Sequence, residues 1–173
     1  MSASEVFRGD SYCGLYCGAC EVLNLYRDSL ASGKPARWED LPRPLREVIP
    51  PALLACTGCK TDLLSPGCRA CAIRICARGK NVEACVLCAD YPCALVEGRR
   101  TGLEEGLAEI LPHIRAKFSQ AERIREIGHS AWREEQARRW RCPECGAPFT
   151  WYQETCGDCG LELESFKEHH APS

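Results

Sequence analysis

Ordinary core-forming side chains are scarce in this chain. Its 173 residues include four Trp, five Tyr, four Phe and one Met, and 15 cysteines fall within the 45% counted as hydrophobic. An oily core of the usual size is short of material, so something besides apolar burial must hold the parts together. Histidine is equally sparse. His113, His129, His169 and His170 form no H-x3-H or H-E-x2-H pattern, which argues against a helix-borne metallohydrolase and leaves them as expected surface residues. No apolar run approaches the length of a membrane span, so a soluble protein with no membrane partner is expected. The formal net charge of −2 provides no broad basic face for nucleic acid.

Cysteine is what the chain has in quantity. The odd count, the lack of an apolar leader in "MSASEVFRGDSY" and the repeated C-x2-C pairs point to bound metal in a reducing cytoplasm rather than to a secreted disulfide framework. Two cysteines separated by two residues can aim both sulfurs at one ion from a tight turn. Each ion held by four thiolates adds a local charge of about −2, which arginine side chains or backbone amides have to offset.

The expected fold is a small, irregular, metal-stabilised α+β structure in three parts followed by a tail. Residues 10–97 read as a cysteine-rich metal-binding domain, 101–140 as a helical segment, 141–164 as a zinc ribbon and 165–173 as a flexible tail. In the first part, "DSYCGLYCGAC" sets Cys13, Cys17 and Cys20 at C-x3-C-x2-C. Radical-SAM enzymes hold a cluster with that spacing, but 173 residues leave no room for their barrel. The stretch "EVLNLYRDSLASG" predicts a helix ended by Gly33, with Leu23, Tyr26 and Leu30 on one side and Cys17 and Cys20 at its first turn. A Pro-rich connector follows, with a short helix expected at Pro44–Ile49 and Leu45, Val48 and Ile49 turned inward.

The remaining head cysteines are Cys56 and Cys59 in "CTGC", Cys68 and Cys71 in "CRAC", Cys76, Cys85 and Cys88 in "CVLC", and Cys93. C-x2-C-x4-C occurs at Cys68, Cys71 and Cys76 and again at Cys85, Cys88 and Cys93, which suggests two equivalent half-sites. Eleven head cysteines divide as two sets of four and one of three. Zinc is the expected metal for these sites, with an iron–sulfur cluster as the alternative, since a cluster can be held by three cysteines whereas structural zinc takes four. The spacing does not reveal which cysteines share a site.

The middle segment carries capping-box signatures at Thr101 and Glu104 and at Ser119 and Glu122, with Ser130 as a further cap. Leu103, Leu107, Ile110, Leu111 and Ile114 recur at helical spacing, and Trp132, Gln136 and Trp140 form one core-facing stripe. The last part, "CPECGAPFTWYQETCGDCG", spaces Cys142, Cys145, Cys156 and Cys159 as C-x2-C-x10-C-x2-C. Gly146 and Gly160 follow the two pairs, so each C-x2-C-G forms a knuckle whose amides face its sulfurs. "PFTWYQET" between them reads as a strand able to form a β-hairpin. Four thiolates around zinc make a closed, structural site.

"SYCGLYCGAC", "CTGC", "CAIRICARGKNVEACVLCADYPC" and "IGHSAWREEQARRWRCPECG" together resemble the bacterial and archaeal cysteine-rich family catalogued as domain of unknown function 3795, here followed by a zinc ribbon. The resemblance implies a metal-binding fold and supplies no reaction. From the residues themselves the expected role is a metal-stabilised adaptor that meets another protein, with Trp38 and Trp151 as candidate anchors. The alternative is an iron–sulfur protein that moves electrons or delivers clusters. Nucleic-acid binding through Arg138, Arg139, Trp140, Arg141, Phe149, Trp151 and Tyr152 is a third and less favoured reading. No acid–base pair is assembled by the sequence, so an enzyme is not the expected reading.

Overall fold

A computed structural model describes residues 7–97 and 103–163, with side chains from residue 106 in the second stretch. Its helices are α1 (Glu21–Ser32), α2 (Arg43–Val48), α3 (Pro66–Arg69), α4 (Ala72–Gly79), α5 (Ala94–Glu97), α6 (Leu103–Ile110), α7 (Ala116–Ile127) and α8 (His129–Arg139). Single 3-10 turns at Cys17–Ala19, Trp38–Asp40, Cys85–Leu87 and Pro112–Arg115 link them. Among the described residues no helix is long and apolar enough to cross a membrane.

The α+β expectation is overturned. Extended backbone pairs only at three isolated bridges among the described residues, Asp10 with Tyr16, Arg141 with Pro148 and Thr155 with Glu162. No hairpin joins the two C-terminal knuckles, because the segment between them bonds elsewhere. The Trp151 amide donates to the Ala19 carbonyl at 3.0 Å, and the Tyr152 amide donates to the Glu21 carboxylate at 2.8 Å. Two amides that a hairpin would pair across its own strands are thus taken by the start of α1.

Local signals set most helix ends. Gly33 stops α1 in the left-handed conformation, at φ 70°. Cys17 and Cys20 do not share the first turn of α1 as expected: Cys17 opens the preceding 3-10 turn and Cys20 is the N-cap. The buried face of α1 is Glu21, Val22, Leu23 and Asn24, whereas Leu30 is 53% exposed. In α2 Leu45 is buried, and Val48, Ile49 and Trp38 pack around it. Helix α7 begins at Ala116 rather than at Ser119, whose hydroxyl donates to the Ala116 carbonyl at 3.2 Å. Gly128, not Ser130, is the N-cap of α8. The Thr101–Glu104 capping box and the tail 165–173 lie outside the described residues or side chains.

Apolar packing is split into four small groups. Trp140, Phe149 and Trp151 centre the first, with ring centroids 4.5 Å apart for the two tryptophans. Leu41, Leu45, Leu54 and Leu111 centre the second. Trp132 and Ile124 join α7 and α8 to the Cys85–Leu87 turn in the third, and Ala77, Cys85 and Val96 make the fourth. The expected stripe on α8 faces inward, with Trp132, Gln136 and Trp140 all buried. Each indole has a partner: Trp132 donates to the Gln120 side-chain oxygen at 2.6 Å and Trp140 to that of Gln136 at 3.1 Å.

A buried ionic group ties the N-terminal segment to Lys60, which follows the Cys56–Cys59 pair, and to α8. Lys60 Nζ lies 2.6 Å from Asp10 Oδ2 with both side chains almost wholly buried, and His129 Nε2 is 3.6 Å from the same oxygen. Burial alone would raise the Asp10 carboxyl, but Lys60 and Arg8 hold it below its ordinary range. His129 is therefore not the surface residue expected: its other nitrogen sits 3.0 Å from Glu83 and its ring stacks on Trp132.

Two expected outcomes follow from this packing. Trp132→Phe leaves a void and strands the Gln120 oxygen, and it should lower stability by about 2–3 kcal/mol in urea unfolding of the metal-loaded protein. Phe118→Ala, at a side chain 43% exposed, should cost less than about 1 kcal/mol. Gly58 sits at φ +117° with the Arg8 carbonyl oxygen 2.1 Å from where a Cβ would stand. Gly58→Ala should lose about 3 kcal/mol or more, whereas Gly79→Ala, which meets open space, should be neutral or slightly stabilising in the same assay.

Candidate metal centres

The C-terminal knuckles are built by local hydrogen bonds. The Gly146 amide donates to the Cys142 carbonyl at 2.8 Å and the Gly160 amide to that of Cys156 at 3.0 Å, each glycine lying at positive φ near 75°. Just beyond, Cys142 donates to Ala147 and Cys156 to Leu161, both at 2.8 Å, which closes each loop on itself. The two loops then face one another. Cys142 and Cys159 sulfurs are 3.5 Å apart, as are those of Cys145 and Cys156, and all four lie within 4.8 Å of one another. Four sulfurs at ordinary zinc–sulfur distance around a tetrahedral ion stand about 3.8 Å apart. The four cysteines could therefore hold one metal ion.

Backbone amides favour the thiolate at Cys145, Cys156 and Cys159. The Cys159 and Asp158 amides bring the Cys156 thiol down to about 7, whereas at Cys159 the Leu161 amide is outweighed by partial loss of hydration and by hydrogen bonds shared with Cys142, Cys145 and Cys156, which push it up to about 12. One cysteine of each knuckle, Cys142 and Cys156, is buried against Trp140, Phe149 and Trp151; the other, Cys145 and Cys159, faces solvent.

The eleven head cysteines gather differently. Among the described residues no three of their sulfurs lie mutually within 4.8 Å, so the compact arrangement belongs to the C-terminal set. Seven of them, Cys13, Cys17, Cys20, Cys56, Cys59, Cys68 and Cys71, are near neighbours of one another and make one basin. Cys17 donates to Cys59, which with the Tyr12 amide, Arg74 and Lys60 lowers the Cys59 thiol to about 7 and raises that of Cys17. Burial pushes Cys13 up, with Cys59 and Cys71 adding to it, and pushes Cys20 up with Glu21, Cys68 and Cys56. Cys68 rises to about 11 by burial and by its neighbours Cys56, Cys59 and Cys71. The other four, Cys76, Cys85, Cys88 and Cys93, line one cleft, with Cys85 also a neighbour of Cys13.

That division corrects the expectation of two equivalent half-sites. Cys71 is the N-cap of α4 and Cys76 lies inside it, five residues on and about 140° around the helix. The second copy of the spacing has a 3-10 turn at Cys85–Leu87 and no helix before Cys93, so Cys76 turns toward Cys85 and away from Cys68 and Cys71.

Three supporting residues escaped the sequence reading. Arg74, only 7% exposed, donates to the carbonyls of Cys59 and Thr61 at 2.9 and 3.0 Å and brings its cation beside the basin. Lys80 reaches the Cys88 sulfur at 3.9 Å and pairs with Asp90. Glu21, beside Cys20, takes the Tyr152 amide, and burial raises its carboxyl to about 7. In the sequence Arg74 and Lys80 show only as basic residues near cysteines, which is a weak signal. Trp151 is 3% exposed and so is no surface anchor, and the Phe149 and Trp151 rings pack inside rather than presenting faces for bases. His113 Nδ1 meets the Tyr152 hydroxyl at 2.6 Å.

No curated protein and no solved structure matches this chain. One family model does, over residues 10–98, a stretch that contains all eleven head cysteines and ends before α6 and the C-terminal knuckles. On that match, which spans just over half its length, the chain belongs to the family described as protein of unknown function (DUF3795).

Proposed function

We propose that this chain is an iron–sulfur protein braced by a structural zinc ion, its cysteine-rich head acting as a one-electron carrier. The difference in sulfur grouping carries the reading. One zinc ion would fit the compact group of Cys142, Cys145, Cys156 and Cys159, whereas the ligands of a cluster stand wider because each binds a different iron. Among the described residues the head cysteines form no such compact group. Their surroundings also suit anionic clusters: Arg74 lies beside Cys59 and Lys80 beside Cys88. A chain with so many unpaired thiols suits a reducing compartment such as the cytoplasm.

A second reading, an adaptor for another protein, is supported by exposed apolar side chains on the head, where Leu53 is 80%, Ile75 58% and Leu87 53% exposed. The two readings are compatible, since a carrier has to dock with its donor and acceptor.

Protein isolated without oxygen should be brown, carry iron and acid-labile sulfide in equal amounts alongside about one zinc per chain, and bleach on reduction by dithionite. Colourless protein that gains neither iron nor sulfide on anaerobic reconstitution, and binds only zinc, would falsify the carrier. The zinc site has its own test. Cys142→Ser with Cys156→Ser should remove the zinc, lower stability by about 4 kcal/mol or more, and shift tryptophan emission to the red as Trp140 and Trp151 become wet. Retention of zinc by that variant would refute the assignment.

A further inference from the structure

We propose that Cys76, Cys85, Cys88 and Cys93 form a complete site of their own for one four-iron, four-sulfide cluster, separate from the seven-cysteine basin. The inference rests on the iron–sulfur reading above and assigns four particular ligands within it.

Three elements bring these sulfurs together. Helix α4 contributes Cys76, the 3-10 turn at Cys85–Leu87 carries Cys85 and leads into Cys88, and Cys93 stands just before α5. In the turn the Cys88 amide donates to the Cys85 carbonyl at 2.9 Å, and the amides of Val96 and Glu97 close α5 onto the Cys93 carbonyl at 2.9 and 3.0 Å. All four cysteines line one narrow cleft whose other walls are largely apolar and include Val82 and Val96. Val96 is 2% exposed and Cys85 9%, so the floor of the cleft is shielded from water while Cys76, Cys88 and Cys93 remain partly accessible.

The spacing argues for a cluster over a single ion. No three of these sulfurs come mutually within 4.8 Å among the described residues, although they surround one space. A lone zinc would need all four at about 3.8 Å. A cubane places one iron before each cysteine, so its ligands stay apart around a shared centre, and its core fills the space between them.

The electrostatics agree with the geometry. Four thiolates on a doubly positive core leave a charge of about −2. Lys80, at the rim of the same cleft, supplies one compensating cation to Cys88.

The cleft has an apolar group of its own, Ala77, Cys85 and Val96, and it meets the basin beside Cys13, where the Cys85 amide donates to the Tyr12 carbonyl at 2.7 Å; its four candidate ligands nevertheless come from three elements that carry no other cysteine. The site therefore predicts independent loss: Cys85→Ser with Cys93→Ser should remove about four irons and four sulfides per chain from anaerobically reconstituted protein while leaving the zinc and any iron in the basin in place. Iron, sulfide and zinc content, together with the visible spectrum, read this directly.

If the wild-type protein holds iron and sulfide and the variant keeps all of it, or loses a zinc instead, the four-cysteine assignment is overturned and the carrier reading stands. If the wild type takes up neither iron nor sulfide, both fall. Should the variant fail to fold, alkylation of the wild type decides. Cys76, Cys88 and Cys93 should resist iodoacetamide in the cluster-loaded protein and react after the iron is chelated, whereas equal labelling before and after overturns the site.

Discussion

Crowded sulfur is the constraint on which this structure depends. Eleven thiols share the first 93 residues and four more share a stretch of 18, and of the 15 residues only Cys68, Cys145 and Cys159 are exposed. A buried thiol resists ionisation, and a neighbouring thiolate makes it resist further, as at Cys13, Cys20, Cys68 and Cys85. Such a group is stable in two ways: every sulfur keeps its proton, or cations replace the protons. The first leaves weak S–H contacts at the centre of a fold that is poor in apolar material. The second converts each group into a strong cross-link between segments distant in sequence.

The apolar packing complements those links without replacing them. Each of the four groups is small, and each borders cysteines: Cys142 and Cys156 lie in the first, Cys56 in the second and Cys85 in the fourth, while the third rests on the Cys85–Leu87 turn. Helices α7 and α8 brace this assembly from one side. Trp132 packs between them and meets Tyr16 edge-on at 6.3 Å, so the buttress touches the segment between Cys13 and Cys17. Gly14, in the same segment, runs close under α7, with the Lys117 carbonyl 3.3 Å from where its Cβ would lie. The positions of the head cysteines are therefore set partly by helices that carry none of them.

What was legible in the sequence was local. The C-terminal knuckles follow from residues within six positions of each other, so C-x2-C-G spacing was enough to find all four sulfurs of that group. The stop of α1 at Gly33 and the inward stripe of Trp132, Gln136 and Trp140 depend on equally short range. The run "PFTWYQET" misled because its decisive partners, Ala19 and Glu21, lie some 130 residues away. Spacing also misled at Cys76: the same C-x2-C-x4-C pattern is helical in one copy and non-helical in the other, and only the backbone shows it. His129 looked like a surface residue because nothing near it in sequence announces Asp10 and Glu83. Ser119 resembled a cap, but the turn at Pro112–Arg115 runs directly into α7 and leaves no helix start there to be capped.

If the knuckles hold zinc and the head holds a cluster, the pairing has a physical rationale. Zinc has a filled d shell and no redox chemistry, so a site it occupies keeps its shape whatever electrons pass nearby. The C-terminal knuckles hold the segment that bonds to Ala19 and Glu21, the residues on either side of Cys20 at the start of α1. Zinc there would fix the entrance of α1, and with it Cys17 and Cys20, independently of the charge on the head. A cluster that gains an electron strengthens its repulsion of neighbouring thiolates and carboxylates, Glu21 among them. A redox-inert clamp at the boundary of the basin would resist the shift of α1 that such repulsion favours, and so would keep an arriving electron from displacing the ligands that hold it.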